Sequence, residues 1–329
     1  MTVVRSSSIP HPSPGSMVGI DGVLNVNKPE GWTSHDVVAH LRKVLGIRKI
    51  GHAGTLDPAA TGVLPILIGK GTKIAQYLID WDKEYHAVLR LGETTDTQDA
   101  TGSVVSRSSI EHVTESQIRS VGAEFQGVIA QRPPMYSAVK INGRPLYRMA
   151  RRGQQVERAL RTVTIYQLEI LQVRGRDVDL RVVCSKGTYV RTLCEDIGER
   201  LRVGGHLHRL IRTRVGPCEL SNAVDVEALT RQHLLDNTQG AWWSLDAALA
   251  EFPELVVTER GEEKIKYGAA VPLSCLRSEF QPTVAQLEHG QLVRLKNARA
   301  RLLALGKMHI DSHRDEACRV SMVNVFATG

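Results

Sequence analysis

Between residues 51 and 62 the sequence reads GHAGTLDPAATG, which sets one carboxylate, Asp57, among small residues with an imidazole, His52, five positions upstream. A carboxylate so placed can act as a nucleophile, as a general base, or as counter-charge to a developing cation. It can equally be a turn-former, because aspartate before proline accepts local backbone N–H groups. Two basic runs suggest a different chemistry. Lys140 to Arg152 carries Lys140, Arg144, Arg148, Arg151 and Arg152 with no acid, with Tyr147 inside it and Tyr136 just ahead. Arg200 to Arg214 carries five arginines and two histidines, again with no acid. One such run alone reads as a solvated face; two, one of them beside tyrosines, point to a phosphate-backbone track.

Other chemistries find no foothold. GKGTK at 69 to 73 lacks the glycine that a phosphate loop needs five residues before its Gly-Lys pair, that position being Leu64. No GxSxG or GxGxxG occurs, which leaves serine-hydrolase and dinucleotide readings unsupported. Cys184, Cys194, Cys218, Cys275 and Cys318 are odd in number and form no CxxC, so reduced thiols are expected. His206 and His208 are expected to share one face of a strand, but without a third ligand nearby the expectation is that no metal is bound.

The groups that could do chemistry must be held by something, and the hydrophobic pattern says what. GVLNVNK (22 to 28) alternates as a strand, and Val37, Val38, Leu41, Val44 and Leu45 recur at helical spacing behind a Thr33/Ser34 cap. Val63 to Ile68 reads as a buried strand, so Asp57 lies in the connection entering it. Gly71 to Asp80 reads as a short helix, and Glu84 to Leu91 as a strand with Tyr85, Ala87, Leu89 and Leu91 on one side. A helix is expected from 115 behind Thr114, then a polar insertion at about 131–152, then strands near 161–174 and 178–184. A Lys-Gly turn follows, and a helix whose Val190, Leu193, Ile197 and Leu201 form one stripe, with Tyr189 and Arg191 in its first turn. Beyond Phe252-Pro253 come short alternating pieces with Gly, Asn and Asp turns, the pattern of a small separate β domain. The fold class expected is α+β.

At 329 residues and 42% hydrophobic composition the chain can bury a sizeable core, and 42 Lys and Arg against 35 Asp and Glu leave +7, which favours an acidic partner such as nucleic acid. The apolar stretches are too short to cross a bilayer. Residues 1–19 are rich in Ser and Pro with no apolar core, so a disordered tail rather than a signal peptide is expected, and with it a cytoplasmic location.

Six segments then arrive in order: NKPEGWTSHDVV (27 to 38), GHAGTLDPAATGVLPILIGKGTK (51 to 73), KEYHAVLRLGETTDTQDATG (83 to 102), QRPPMYSAVKINGRPLY (131 to 147), GTYVRTLCEDIG (187 to 198) and HLHRLIRTRVG (206 to 216). Together they closely resemble the TruB family of tRNA pseudouridine synthases, over about residues 20 to 220. The stretch 53 to 73 is also similar to the guide-RNA-dependent members, whose extra basic extensions are not seen here. The resemblance implies a pseudouridine-synthase fold, with a mixed, largely antiparallel sheet flanked by helices. It places a catalytic domain at 20–252 and a PUA-like RNA-binding domain at 253–329. The implied reaction turns uridine 55 of the tRNA T-arm loop into pseudouridine, without cofactor or metal, in a monomer needing no protein partner.

Family roles carry over residue by residue. The resemblance makes Asp57 the carboxylate at the flipped nucleotide, and Arg191 the cation that keeps it ionised. Tyr85 stacks on the uracil and can serve in proton transfer, and His52 contacts RNA at the flipped position. Tyr189 and Leu210 wall the uracil pocket, Lys28 and Pro29 support the loop of Asp57, and 131–152 clamps the T-arm. The rival from another class is an RNA-binding or RNA-folding protein without catalysis. Asp57, Tyr85 and Arg191 together favour the enzyme, because a pure binder has no need for a carboxylate near phosphates.

Overall fold

The computed structural model describes residues 20–230, 232, 240–280, 286–310 and 318–327, so the tail at 1–19 lies outside the described residues. Strand β1 (Gly22–Lys28) leads to α1 (Ser34–Leu45), which begins where the sequence predicts a cap. The Thr33 hydroxyl accepts the Asp36 N–H while the Asp36 carboxylate takes the Thr33 N–H, satisfying two orphan donors at once. Val37, Val38, Leu41 and Leu45 on the inner stripe of α1 pack with Leu24 and Val26 of β1. Next come β2 (Ile50–His52), β3 (Thr61–Ile68), a 3-10 turn at Gly69–Ile74, α2 (Ala75–Leu78) and β4 (Lys83–Leu91). After the hairpin β5 (Glu93–Thr95) and β6 (Val104–Arg107), α3 (Glu115–Glu124) and β7 (Gly127–Gln131) lead into the insertion. The insertion holds a small hairpin, β8 (Lys140–Ile141) and β9 (Arg144–Pro145), and α4 (Leu146–Ala150). Behind it follow β10 (Arg161–Arg174), β11 (Asp177–Cys184), α5 (Val190–Arg200), β12 (Gly205–Val215), β13 (Cys218–Glu219), β14 (Val224–Asp225) and β15 (Trp242–Ser244).

These strands form one sheet in the order β14-β1-β3-β12-β4-β11-β10-β7, with β2, β13 and β15 as side branches. Most neighbours are antiparallel, while β1 with β14 and β3 with β12 run parallel. The class is α+β, as the pattern predicts. Alternation along β4 buries Tyr85, Ala87, Leu89 and Leu91 in one core with Val190, Leu193 and Ile197 of α5 and Ile118 of α3. At the short β3/β12 contact Gly62 has φ of +107°, and a Cβ there would lie 2.2 Å from the Arg212 carbonyl oxygen. Only glycine allows the two strands this approach.

Strand β12 departs from the sequence expectation at its histidines. Its partners on β4 step from Leu89 opposite Leu207 to Val88 opposite Arg209, so His208 is the extra residue of a β-bulge. His206 is therefore buried, with Nδ1 3.0 Å from the Glu93 carbonyl oxygen, and His208 is exposed. The two rings still meet edge to face, with 6.3 Å between their centres.

A second sheet, ordered β16-β18-β19-β20-β17, is built from β16 (Glu254–Val256), β17 (Val271–Pro272), β18 (Leu292–Lys296), β19 (Leu302–His309) and β20 (Arg319–Val325). It has a core of its own around Leu255, Ile265, Val293, Leu303 and Val320. Leu305 and Phe326, however, pack with Val23, Leu67, Leu78 and Leu249 from the first part of the chain. Lys70 and Lys73 donate to the Phe326 and Val325 carbonyls at 2.8 Å each, and Arg294 and Lys296 both pair with Asp246. All five cysteines are buried thiols, Cys275 and Cys318 in the second part and the other three in the first.

Candidate active site

Carbonyls of the β1–α1 turn, of the loop between β2 and β3 and of the start of β3 are taken up by two buried cations. Lys28 Nζ donates to the carbonyls of Pro29, Trp32 and Pro58 at 2.8, 2.7 and 3.1 Å. Burial pushes its ammonium down to about 8, with the Asp57 charge opposing. The Arg212 guanidinium donates to Val63, Thr55 and Gly54 carbonyls at 2.7, 3.2 and 3.2 Å. Ser34 grips Leu56 from both sides, its Oγ accepting the Leu56 N–H at 2.9 Å and donating to the Leu56 carbonyl at 3.1 Å. Asp57 makes a turn with its main chain, Ala60 N–H to Asp57 carbonyl at 3.1 Å. Among the described residues its carboxylate takes no loop N–H; it points to an arginine instead.

That arginine is Arg191, the second residue of α5, only 5% exposed against 41% for the Asp57 side chain. Its Nε lies 3.0 Å from Asp57 Oδ2, and its Nη1 lies 3.5 Å from Asp99 Oδ2. It also donates to the Thr97 carbonyl at 3.3 Å and the Tyr136 carbonyl at 2.9 Å. Asp99 is held by Thr97 Oγ1 at 2.8 Å and by the Thr101 N–H and hydroxyl at 3.0 and 2.5 Å. Burial in this cleft lifts the Asp57 carboxyl above its ordinary range; Arg191 pulls it back and Asp99 adds to the rise.

Tyr85 packs in the core that also holds Leu56, Ala60 and Leu210, and burial pushes its hydroxyl up to about 12 against the pull of Arg212. Leu210 lines the same cleft as Asp57, Asp99, Arg191 and Leu207. His52 is half-buried on β2, its Nδ1 enclosed and without a hydrogen-bond partner among the described residues, and burial and the nearby Arg212 charge both favour the neutral imidazole. Tyr189 caps α5 through its main chain, clamped by Gln131, whose Oε1 accepts the Tyr189 N–H at 3.0 Å and whose Nε2 donates to the carbonyl at 3.2 Å.

The two basic runs part company in space. Lys140, Arg144, Arg148, Arg151 and Arg152 are all exposed, and among the described residues none is ion-paired with an acid. Arg148 and Arg151 lie 6.0 and 5.7 Å from the Tyr147 ring centre. The second run is open only in part, at the exposed Arg202 and Arg209. Arg212 is buried, Arg200 pairs with Glu124, and Arg214 pairs with Asp82, because neighbouring elements supply the acids the run itself lacks. Arg212 and Asp99 are the functional candidates that the residue pattern leaves unmarked. Both lie in segments that carry the family resemblance, 83 to 102 and 206 to 216, but neither is given a role there, and by residue type alone Arg212 looks like one more surface cation.

Residues 42–190 match the model of the TruB family pseudouridylate synthase N-terminal domain, and residues 191–256 match the tRNA pseudouridylate synthase B C-terminal domain. The chain belongs to the TruB family. Among TruB relatives, tRNA pseudouridine synthase B of Geobacillus thermodenitrificans is 43% identical over 272 residues, which cover 80% of this chain and 90% of the relative. The Bacillus cereus protein of the same name is 45% identical over 76% of this chain and 83% of its own. In structure, a chain from a Cbf5-Nop10-Gar1 complex matches with a TM-score of 0.70 at 31% identity, over 93% of this chain and 85% of that one. One from an H/ACA RNP bound to a substrate RNA containing 2'-deoxyuridine matches at 0.69 and 28%, with the same coverage. Membership in TruB makes this chain an enzyme, a tRNA pseudouridine synthase. Among the described residues no helix is long and apolar enough to cross a membrane.

Proposed function

We propose that this enzyme isomerises uridine 55 in the T-arm loop of tRNA, with Asp57 as the carboxylate at the flipped nucleotide. The observation that carries the reading is the 3.0 Å contact between a partly exposed Asp57 and an almost fully enclosed Arg191, in a cleft that Leu210 lines and whose neighbouring core holds Tyr85. A carboxylate beside a buried cation stays ionised when RNA closes over it, where a lone one would take up a proton. The reaction breaks the N1–C1' bond, turns the uracil and joins C5 to C1'; C5 gives up a proton and N1 gains one. Atoms and electrons balance without an oxidant or a reductant. Asp57 serves the electron-poor ribose carbon or the base, Tyr85 holds the extruded uracil by stacking and can move a proton, and Leu210 and Tyr189 bound the pocket. His52 contacts the RNA beside it, and the exposed cations of the insertion clamp the T-arm phosphates.

In this reading residues 20–252 carry the chemistry and 253–329 add a PUA-like RNA surface. The protein acts as a monomer in the cytoplasm without an obligatory partner. Tritium release from tRNA labelled at uracil C5 tests it. Wild-type enzyme releases tritium from position 55, and a transcript with cytidine at 55 releases none. Equal release from both transcripts refutes the position, and an Asp57→Asn enzyme near the wild-type rate refutes the role of Asp57.

A further inference from the structure

Arg191 faces two acidic or polar groups that come from one loop, Thr97 through its carbonyl and Asp99 through its carboxylate. The residue between them is Gln98, which holds a left-handed backbone at φ of +66°. A residue with a Cβ takes that conformation only when its surroundings impose it. Here the surroundings are specific. The Gln98 carbonyl accepts the Leu207 N–H at 3.0 Å, and its own N–H reaches the Thr95 carbonyl at 3.2 Å. Both ends of its side-chain amide are used on α5: Oε1 accepts from the Thr192 hydroxyl at 2.9 Å, and Nε2 donates to the Glu195 carboxylate.

Thr192 and Glu195 stand one and four residues after Arg191. The helix that presents the arginine therefore also grips the loop that presents Asp99 and Thr97, and it does so through one amide, while Leu207 of β12 holds the same loop by its main chain. Resting on the catalytic reading of Asp57 and Arg191, we infer that Gln98 and Glu195 are positioning residues for the reaction: they fix Asp99 and Thr97 against Arg191, and so aim its Nε at Asp57. Released from the clamp, the loop no longer holds Nη1, and the guanidinium is free to turn away from Asp57. Glu195 is an acceptor here rather than a counter-ion. It lies in no ion pair among the described residues, and burial with Glu199 and Asp196 close by pushes its carboxyl up to about 7. A neutral amide at 195 presents the same acceptor oxygen to Gln98.

The test compares Gln98→Leu, Glu195→Ala and Glu195→Gln with wild type in single-turnover pseudouridine formation, tRNA binding and thermal unfolding. Misplacement of a catalytic group by about an ångström costs on the order of 100-fold in rate, so Gln98→Leu and Glu195→Ala are expected to be about 10- to 100-fold slower. Their tRNA affinity should stay within about twofold, since no contact to RNA is removed. Glu195→Gln should recover to within about threefold of wild type, the acceptor oxygen being kept. In an Asp99→Asn background Gln98→Leu should cost clearly less than it does in wild type, because it acts in part through Asp99. Wild-type rate in Gln98→Leu, Glu195→Gln as slow as Glu195→Ala, or losses that multiply with Asp99→Asn would each overturn the inference, and the last two hold even where a variant is less stable. An Asp57→Asn control keeps the two readings apart. If it remains active the catalytic reading itself fails, and if it is dead while the clamp variants run normally only the positioning claim falls.

Discussion

Arg191 divides its five N–H groups among Asp57, Asp99 and two carbonyls, so removing the Asp57 charge does not strand it. The Asp57 carboxyl is raised by burial. A carboxyl whose folded pKa lies above its unfolded one is less stable charged than neutral in the fold, and the penalty is present once pH exceeds that range. Asp57→Asn is accordingly expected to unfold at the same or a higher temperature than wild type near pH 7, to bind tRNA as well, and to form no pseudouridine; a lower midpoint would mean that the ion pair is structural. Lys28 gives a pH signature of the opposite kind. Its ammonium is lowered from 10.5 to about 8, so below pH 8 it is charged in both states and the burial cost is complete. Between there and 10.5 the unfolded chain holds a proton that the fold does not, and stability rises with pH. The unfolding free energy of wild type minus that of Lys28→Met should climb across this window in urea titrations, and a flat difference would contradict the shift. The resemblance assigns roles to Asp57, Tyr85 and Arg191, and the contact of Asp57 with Arg191 fits theirs. Arg212 stands in the segment 206 to 216 with no role assigned, because its burial depends on carbonyls 149 to 158 residues away.

At the scale of elements, patterns that depend on one face were readable and those that depend on neighbours were not. The strict alternation of β4 and the stripe of α5 follow from each packing against a single core. Strand β7 carries no readable pattern, because it pairs only with β10 at the sheet end and four of its five residues are exposed or half-buried, which leaves no alternation. The bulge at His208 is likewise set by the register of β4 and not by anything in β12 alone. For the basic insertion the structure leaves the cations open to solvent on a hairpin and a short helix. If Arg148, Arg151 and Arg152 each neutralise a phosphate, replacing all three by Ala should reduce the log-log salt slope of tRNA binding by about two to three. An unchanged slope across a salt titration would make the run a solvated face.

Across the whole molecule the second sheet is joined to the first by more than a chain connection. Leu305 and Phe326 share a core with Val23 and Leu249, and Lys70 and Lys73 reach the last strand. A chain ended at 252 uncovers that apolar surface, so it is expected to fold with a midpoint lower by at least about 4 °C, to bind tRNA more weakly and still to isomerise at saturating RNA. An insoluble or inert fragment would show that the two parts are one cooperative unit. The buried thiols offer a way to watch that unit come apart. Burial pushes Cys184 up to about 11 and Cys218 to about 12, and raises Cys194 further still. A thiolate must reach the alkylating reagent to attack it, and since all five thiols are buried each adduct records an opening event. Mass-resolved labelling in mild denaturant then reads the two parts separately, Cys275 and Cys318 timing the second sheet and the other three timing the first. Simultaneous labelling of all five would mark a single breaking point, while early adducts on Cys275 and Cys318 would mark the tail end of the chain as the first to let go.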